Sequence, residues 1–547
     1  MSAIKIKTIV SMGLAAGLAF AQAPDTVLIN GKVLTGDARF SIQQAIAVRE
    51  GKIAAVGSSA DIRKLAGAAT RVIDLGGRTV IPGLIDSHLH GIRAATSFST
   101  EVNWIGAKSI TEAMARIAAA AKAKKPGEWL IVAGGWDERQ FAEKRRPKQA
   151  ELEAAAGGHP AYVQLGYGWV LFNQAGLDAL KIRGVADLPP NAQFENGEVS
   201  GPQNTIVALF DKLPTPTYVQ KVEGTKLFFR ELNRLGMTGF VDPGGNNLFP
   251  ADYQAVFELW RKKQMTVRIA FALNGQTPGK EFDELKTLTQ MTPMGFGDDM
   301  LRFNGIGERI TWEMNNNVRP TDDQKQRYYD ILRWAAEKGM AITMHCDGDA
   351  TANMLLDIFE RVNREVPIGG LRWSFAHLND GKAETFRRMK ALGVGWTMQD
   401  AMFLSGDRLF AQSPAAARRS PPIVTAREIG INIGAGTDAH RVASYNPFTA
   451  LQWLLDGKTV SGTVTRGPEE TPDRAGALRL YTQGSAWFSF DEGKRGSLEP
   501  GKFADLAVLD KDFLTIPVDQ VGNLESVLTM VAGQTVYAAG PFAKYEK

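Results

Sequence analysis

Eight short apolar runs, each ending in polar residues, set the tightest limit on how this chain folds. They are Thr79 to Ile85, Thr238 to Asp242, Val267 to Leu273, Leu301 to Gly305, Ala341 to His345, Leu371 to His377, Gly393 to Met398 and Ile431 to Gly436. Most follow a helical pattern, and strands alternating with helices build a parallel sheet. Eight such units are the content of a TIM-like (β/α)8 barrel, an α/β fold whose functional groups gather at the C-terminal strand ends. The clearest helix lies between the fourth and fifth runs. Thr321 with Gln324 makes a capping box, Tyr328, Ile331, Leu332 and Ala335 keep helical spacing, and Gly339 closes it.

The histidines fall on this rhythm. There are six in 547 residues, and five lie at or just after run ends. His88 and His90 stand in Leu84-Ile85-Asp86-Ser87-His88-Leu89-His90, and on a strand both rings share one face. His345 and His377 are 32 residues apart, one strand-plus-helix unit. Asp438 comes 61 residues later, two units on, and His440 follows it. Neutral imidazole is the commonest metal ligand. An isolated HxH pair means little, but this set at barrel spacing predicts a metal shell of His88, His90, His345, His377 and Asp438. Such donors suit one divalent cation, Zn²⁺ foremost, with Fe²⁺ or Mn²⁺ as alternatives. The cation makes water acidic near neutral pH and polarises a carbonyl. Asp438 then serves as the proton acceptor and donor, with His377 as the second catalytic candidate.

The flanks are β-rich. Thr26–Ile29 and Lys32–Thr35 around Asn30-Gly31, and Ala45–Val48 and Ile53–Val56 around Glu50-Gly51, read as hairpins. Ala504 to Leu509 and Thr529 to Tyr537 are strand-like at the other end, which predicts a β-sandwich composed from both termini. The gap from His90 to Thr238 is too long for one crossover and predicts an inserted subdomain. It carries Gly134-Gly135-Trp136-Asp137 and Gly166-Tyr167-Gly168-Trp169. The resulting division is 1–21 signal peptide, 24–80 with 491–547 sandwich, 81–103 with 231–490 barrel, and 104–230 insert.

Net charge is +4 from 63 basic and 59 acidic residues, with no basic stripe to favour nucleic acid. Lys5 and Lys7 precede the apolar stretch Thr8 to Phe20, and Ala19-Phe20-Ala21 is a small-x-small cleavage pattern. That stretch is shorter than the roughly 20 residues of a bilayer span. The chain is therefore expected to be exported to the periplasm or medium, and not to be an integral membrane protein. The single cysteine, Cys346, excludes an intrachain disulfide and reads as a buried apolar residue beside His345.

Pro82-Gly83-Leu84-Ile85-Asp86-Ser87-His88-Leu89-His90, with His345, His377 and Asp438, resembles the amidohydrolase superfamily. Gly496-Ser497-Leu498-Glu499-Pro500-Gly501-Lys502-Phe503-Ala504-Asp505-Leu506 is similar to its sandwich-closing motif. Gly135-Trp136-Asp137 and the long insert resemble the family-3 branch, which includes N-substituted formamide deformylases. Two departures stand out. Arg302 lies near the position where many relatives have a metal-bridging carbamylated lysine, and its fixed charge opposes a second cation. Glu308 is the residue that could restore a two-metal site. Trp169 replaces a histidine common in the branch. The resemblance implies hydrolysis of a non-peptide carbon–nitrogen bond, amide, N-formyl or N-acyl, in a small molecule. Ester, lactone or carbamate hydrolysis is the enzymatic alternative, and an exported binding or regulatory protein the non-enzymatic one. Trp136, Asp137, Trp169, Arg302 and His440 are the expected substrate contacts, and the tryptophans point to a hydrophobic group. Homo-oligomerisation stays open.

Overall fold

The computed structural model describes residues 23–546, so the expected signal segment 1–21 lies outside the described residues. Each of the eight apolar runs contributes a strand: β1 (Leu84–Asp86), β2 (Met237–Asp242), β3 (Arg268–Leu273), β4 (Leu301–Ile306), β5 (Thr343–Cys346), β6 (Ser374–His377), β7 (Gly395–Gln399) and β8 (Ile433–Gly436). They pair in sequence order, all parallel, as β1-β2-β3-β4 and β5-β6-β7-β8.

The expectation of one closed eight-stranded ladder is corrected here: the strands form two four-stranded sheets. At one seam Ile306 N donates to Ala341 O and His345 N to Glu308 O, each at 3.0 Å. At the other, Ser87 N donates to Ala435 O at 3.0 Å and Asp438 N to His88 O at 2.8 Å. The chain leaves the β4 ladder at Gly307, where a Cβ would lie 1.8 Å from Pro243 O. Glu308 N then donates to Pro243 O at 3.1 Å, so the chain turns inward toward β2 and interrupts regular pairing with β5.

Helices cover the two sheets. Helix Asp322–Glu337 starts as its sequence predicts: Thr321 and Gln324 form the reciprocal cap, and Tyr328, Ile331, Leu332 and Ala335 are buried. Phe271, Phe303, Phe375 and Trp396 from the strands share their core with Phe228, Leu232 and Phe359 from the helices. Each large apolar side chain so buried contributes roughly 1.5–3 kcal/mol of transfer free energy.

Both termini build the sandwich. One sheet orders Lys52–Gly57, Ala45–Arg49, Thr26–Ile29 and Arg71–Asp74. The other orders Gln534–Ala538, Ser526–Val531, Leu506–Leu509, Thr79–Pro82, Lys32–Leu34 and Ile42–Gln43. The first apolar run is thus divided at Gly83 between the sandwich and β1. The hairpin expected at Asn30-Gly31 does not form. Thr26–Ile29 is buried along its length and pairs on both edges within one sheet, while Lys32–Leu34 enters the other. The Glu50-Gly51 hairpin does form.

Between β1 and β2 a separate five-stranded sheet orders Gln193–Glu195, Glu198–Ser200, Trp169–Phe172, Ala161–Leu165 and Leu130–Val132. It docks on the loop after β8 through Gly134, where φ is +137° and a Cβ would lie 2.2 Å from Arg441 O. Only glycine permits that approach. Among the described residues no helix is long and apolar enough to cross a membrane.

Sandwich and β3 are joined by a buried ion pair. Arg268 Nε donates to Asp505 Oδ2 at 2.7 Å and its terminal nitrogen to Oδ1 at 3.1 Å, with both side chains at most 4% exposed. Asp505 Oδ1 also accepts from Ala532 N. Asp505→Ala leaves the guanidinium buried and unpaired, and is expected to lower the unfolding free energy by about 3–5 kcal/mol in a urea titration. A loss below about 1 kcal/mol, as for an exposed pair, would contradict this role for Asp505.

Candidate metal centre

The strand ends converge on one buried cluster of imidazoles and carboxylates. β1 delivers His88 and His90, and Asp86 braces them. Its Oδ1 accepts from His88 N at 2.8 Å, and its Oδ2 accepts from Thr437 Oγ1 at 2.7 Å and Thr437 N at 3.0 Å. One carboxylate therefore ties the His88 strand end to the residue before Asp438. Burial pushes the Asp86 carboxyl up to about 6, against these bonds. His90 Nδ1 donates to Gly244 O at 2.5 Å, which leaves Nε2 as the free ligand atom. His377 and Asp438 adopt left-handed φ of 71° and 57°. Such conformations cost of order 1–3 kcal/mol and persist where the surroundings hold them. Here His377 N donates to Gln399 Oε1 at 2.6 Å and Trp396 Nε1 to His377 O at 2.8 Å.

Glu308 occupies the centre. Its Oε2 is 3.3 Å from His88 Nε2, 3.5 Å from His345 Nδ1 and 3.8 Å from His377 Nε2, and its Oε1 is 3.5 Å from His90 Nε2. Asp438 Oδ1 is 3.1 Å from His90 Nε2 and 3.6 Å from His88 Nε2. Two triads fit a cation, His88–His90–Glu308 and Glu308–His345–His377, with ligand atoms within 4.8 Å of one another. Despite the proximity, both ring nitrogens of His88 and Oε2 of Glu308 are buried without a hydrogen-bond partner. Buried polar atoms are nearly always satisfied. His377 Nε2 and His345 Nδ1 lie 2.9 Å apart, and the N/O set fits a metal ion.

Burial opposes charge on His88, but the contacts of Asp438 and Glu308 outweigh it and raise its pKa to about 9. The same balance, with Asp347 and Glu308, raises His345 to about 10. Glu308 and Asp438 are held well below the usual carboxylate range, their burial being overcome by the surrounding histidines. Asn316, unnoticed in the sequence, steadies His345: its Nδ2 is 3.1 Å from His345 Nε2 and donates to Asp347 Oδ2 at 2.6 Å. His345 and Asp438 have the most open side chains of the cluster, 19% and 14% exposed, and mark its accessible side.

The structure thus brings all five sequence-derived ligands together and adds Glu308 between them. The expected substrate contacts fare differently. Arg302 does not approach the cluster: it donates to Ser489 O and pairs with Asp491 at 2.8 Å. Asn304, on the same strand face, bonds Phe488 O at 2.8 Å, so this face looks to the 488–491 segment. The charge argument against a second cation therefore falls. Trp136 is buried in the insert core and donates to Gln164 O at 2.7 Å. Trp169 is also core, its Nε1 bonding Glu198 Oε2 at 2.7 Å. The hairpin register, Leu165 opposite Trp169, puts Tyr167 at the tip instead. Asp137 caps the turn Glu138–Gln140 and binds Arg139. His440 is buried, 3.1 Å from Glu101 Oε2. Cys346 is buried and free, on the face opposite His345.

A model of the amidohydrolase family matches residues 71–537. The chain belongs to the amidohydrolase family. It is 25% identical to an N-substituted formamide deformylase of Arthrobacter pascens over 94% of this chain and 99% of that protein. It is also 25% identical to Protein LONG AFTER FAR-RED 3 of Arabidopsis thaliana, over 89% of this chain and 87% of that one. An uncharacterised metal-dependent hydrolase of Pyrococcus horikoshii shares the fold at TM-score 0.66 and 20% identity, covering 90% of this chain and 99% of its own. Family membership makes this amidohydrolase a hydrolase, and its donor set fits a metal ion.

Because His88 and His345 hold protons up to about pH 9 and 10 without a cation, metal loading must displace them. Metal affinity of this amidohydrolase is expected to rise with pH between 7 and 9, by about tenfold per unit for each proton released. Calorimetric titration with Zn²⁺ at several pH values checks this, and a flat affinity would contradict it.

Proposed function

We propose that this chain hydrolyses a non-peptide carbon–nitrogen bond, an N-formyl or N-acyl amine, at a centre whose donors, Glu308 among them, would hold two divalent cations. The observation that carries the proposal is the pair of ligand triads sharing Glu308, with ionised Asp438 beside one of them. His88 and His90 with Glu308 would hold one cation, and His345 and His377 with Glu308 would hold a second. Zn²⁺ suits both, as do Fe²⁺ and Mn²⁺. When bound, the cations supply Lewis acidity that polarises a carbonyl and makes water acidic near neutral pH.

The remaining chemistry falls to the chain's own groups. Asp438, held as a carboxylate at the accessible side, accepts a proton from the attacking water. It later returns that proton to the departing nitrogen, without which an amine leaves poorly. The bond from Asp438 N to His88 O fixes its loop and keeps its carboxylate beside the Nε2 atoms of His90 and His88, at 3.1 and 3.6 Å. The full-length similarity to a formamide deformylase supports the formamide end of the substrate range. Export is part of the proposal, and N-terminal sequencing of mature protein is expected to begin at Gln22.

Asp438→Asn, assayed on N-formyl and N-acyl amines and on activated esters, tests the mechanism. Amide turnover should fall by about 10²–10⁴-fold and ester turnover far less, because an activated leaving group needs no protonation. Equal losses would remove the acid role of Asp438. Turnover of esters alone would favour the esterase reading, and no turnover after metal reconstitution the binding-protein reading.

A further inference from the structure

A cavity of about 460 Å³ lies between the insert, the helix after β1 and the segments that follow β2 and β8. None of the six clustered residues lines it, yet its walls stand next to them in sequence. Arg93, three residues past His90 on helix Gly91–Ser97, lines it, as does Arg441, three residues past Asp438. Arg309, adjacent to Glu308, is outside the lining but feels the charge of Arg93, its guanidinium over Trp312 at 4.6 Å. The Arg441 guanidinium lies over Phe210 at 3.8 Å.

Among the described residues none of these arginines is ion-paired, and Arg93 is half-buried. Arg309 and Arg441 are 9% and 7% exposed, and Nε of both Arg93 and Arg309 is buried with no hydrogen bond. Among the described residues no carboxylate comes within 4.0 Å of any of the three guanidinium groups. The acids of the cavity wall are engaged elsewhere. Glu101 is paired with His440 at 3.1 Å, Asp211 accepts from Asn247 at 2.9 Å, and Asp252 binds Lys221 at 2.6 Å. Burial and the charge of Arg93 both push Arg309 and Arg441 below the usual guanidinium range. Tyr167, at its hairpin tip, acts on both arginines and lines the same wall.

Glu101 and Asp211 act on Arg441, and Glu308 on Arg309, only from beyond ion-pair distance. Like charges partly out of water with no carboxylate in contact are costly, and a bound anion lowers that cost. Guanidinium groups suit planar oxyanions, which they hold bidentately. Ile131, Val207, Phe210 and Leu248 give the otherwise mixed lining an apolar patch. We propose that Arg93 and Arg441, backed by Arg309, form a carboxylate-binding subsite beside the metal cluster, so that the substrate is an N-acyl amine carrying a carboxylate, such as an N-acyl amino acid with an apolar side chain. This rests on the hydrolase reading above, and it relocates the expected hydrophobic contact from Trp136 and Trp169 to Phe210 and Leu248.

The test compares N-acetylphenylalanine with its decarboxylated analogue, N-acetyl-2-phenylethylamine, on the metal-loaded full chain. The wild type should favour the carboxylate in kcat/KM by about tenfold or more, the range of a charge-assisted hydrogen bond. In Arg93→Met and Arg441→Met that ratio should collapse, mainly through KM, and Arg441→Lys should keep part of it. Unchanged melting temperature and metal content identify variants that are folded. Equal turnover of both compounds by the wild type overturns the subsite and leaves the hydrolase standing. If neither is turned over, the hydrolase reading fails for these amides, and calorimetric binding decides the subsite. Saturable binding of N-acetylphenylalanine, lost in Arg441→Met, supports it, and no binding overturns it. Binding of inorganic phosphate in place of the carboxylate assigns the pocket to a different anion and overturns it too.

Discussion

The carboxylate of Asp86 is the point on which the centre depends. It reaches across the seam between two separately paired sheets, taking the backbone N–H of His88 on one side and both the N–H and hydroxyl of Thr437 on the other. Regular strand pairing is interrupted at this seam, where the backbone bonds Ser87 N to Ala435 O and Asp438 N to His88 O remain, and the Asp86 side chain adds to them in setting the register between β1 and β8. Burial raises Asp86 to about 6, the signature of a carboxyl kept out of water for position. It is a positioning residue, two places before the first ligand.

Glu308 performs the matching task at the opposite seam. Gly307 brings the chain against Pro243, His345 N donates to Glu308 O, and the side chain is left in the middle of four imidazoles. Such a group of unsatisfied donors and acceptors is expensive in an apolar interior and becomes favourable when a cation replaces the missing partners. The arginines beside the cavity repeat this logic with opposite sign. Arg93, Arg309 and Arg441 each follow a cluster residue by one to three positions, so the same loops that carry acidic and imidazole groups to one side carry guanidinium groups to the other. A donor cluster that fits a metal ion thus adjoins a cavity with two arginines in its wall.

Much of the plan was legible because periodicity and spacing are local properties. Eight apolar runs at strand-plus-helix intervals marked eight strands, the Thr321–Gln324 box marked a helix start, and strand-end histidines marked which side carries the chemistry. What was illegible depended on direction. Arg302 and Glu308 both lie at or beyond β4, and spacing could not say that the first faces Asp491 while the second turns inward at Gly307. Trp136 and Trp169 looked like pocket residues because they sit in glycine-flanked motifs. The glycines instead serve a close approach to Arg441 and a hairpin tip, which expose Tyr167 and bury the indoles. Asn30-Gly31 carried a hairpin signal, but a fully buried strand needs neighbours on both edges, and the chain crossed between sheets to supply them.

By itself the sequence determined the element order, the two-ended sandwich, the presence of a long insert and the five histidine and aspartate donors. These follow from side-chain alternation, capping chemistry and residue type, which neighbouring residues specify. Tertiary structure alone decided that the strands pair as two halves, that Glu308 stands among the four histidines, and that three arginines near them make no ion pair among the described residues. Those outcomes depend on which distant carbonyls and side chains fill the space around each group. No local pattern encodes that, because packing couples residues hundreds of positions apart.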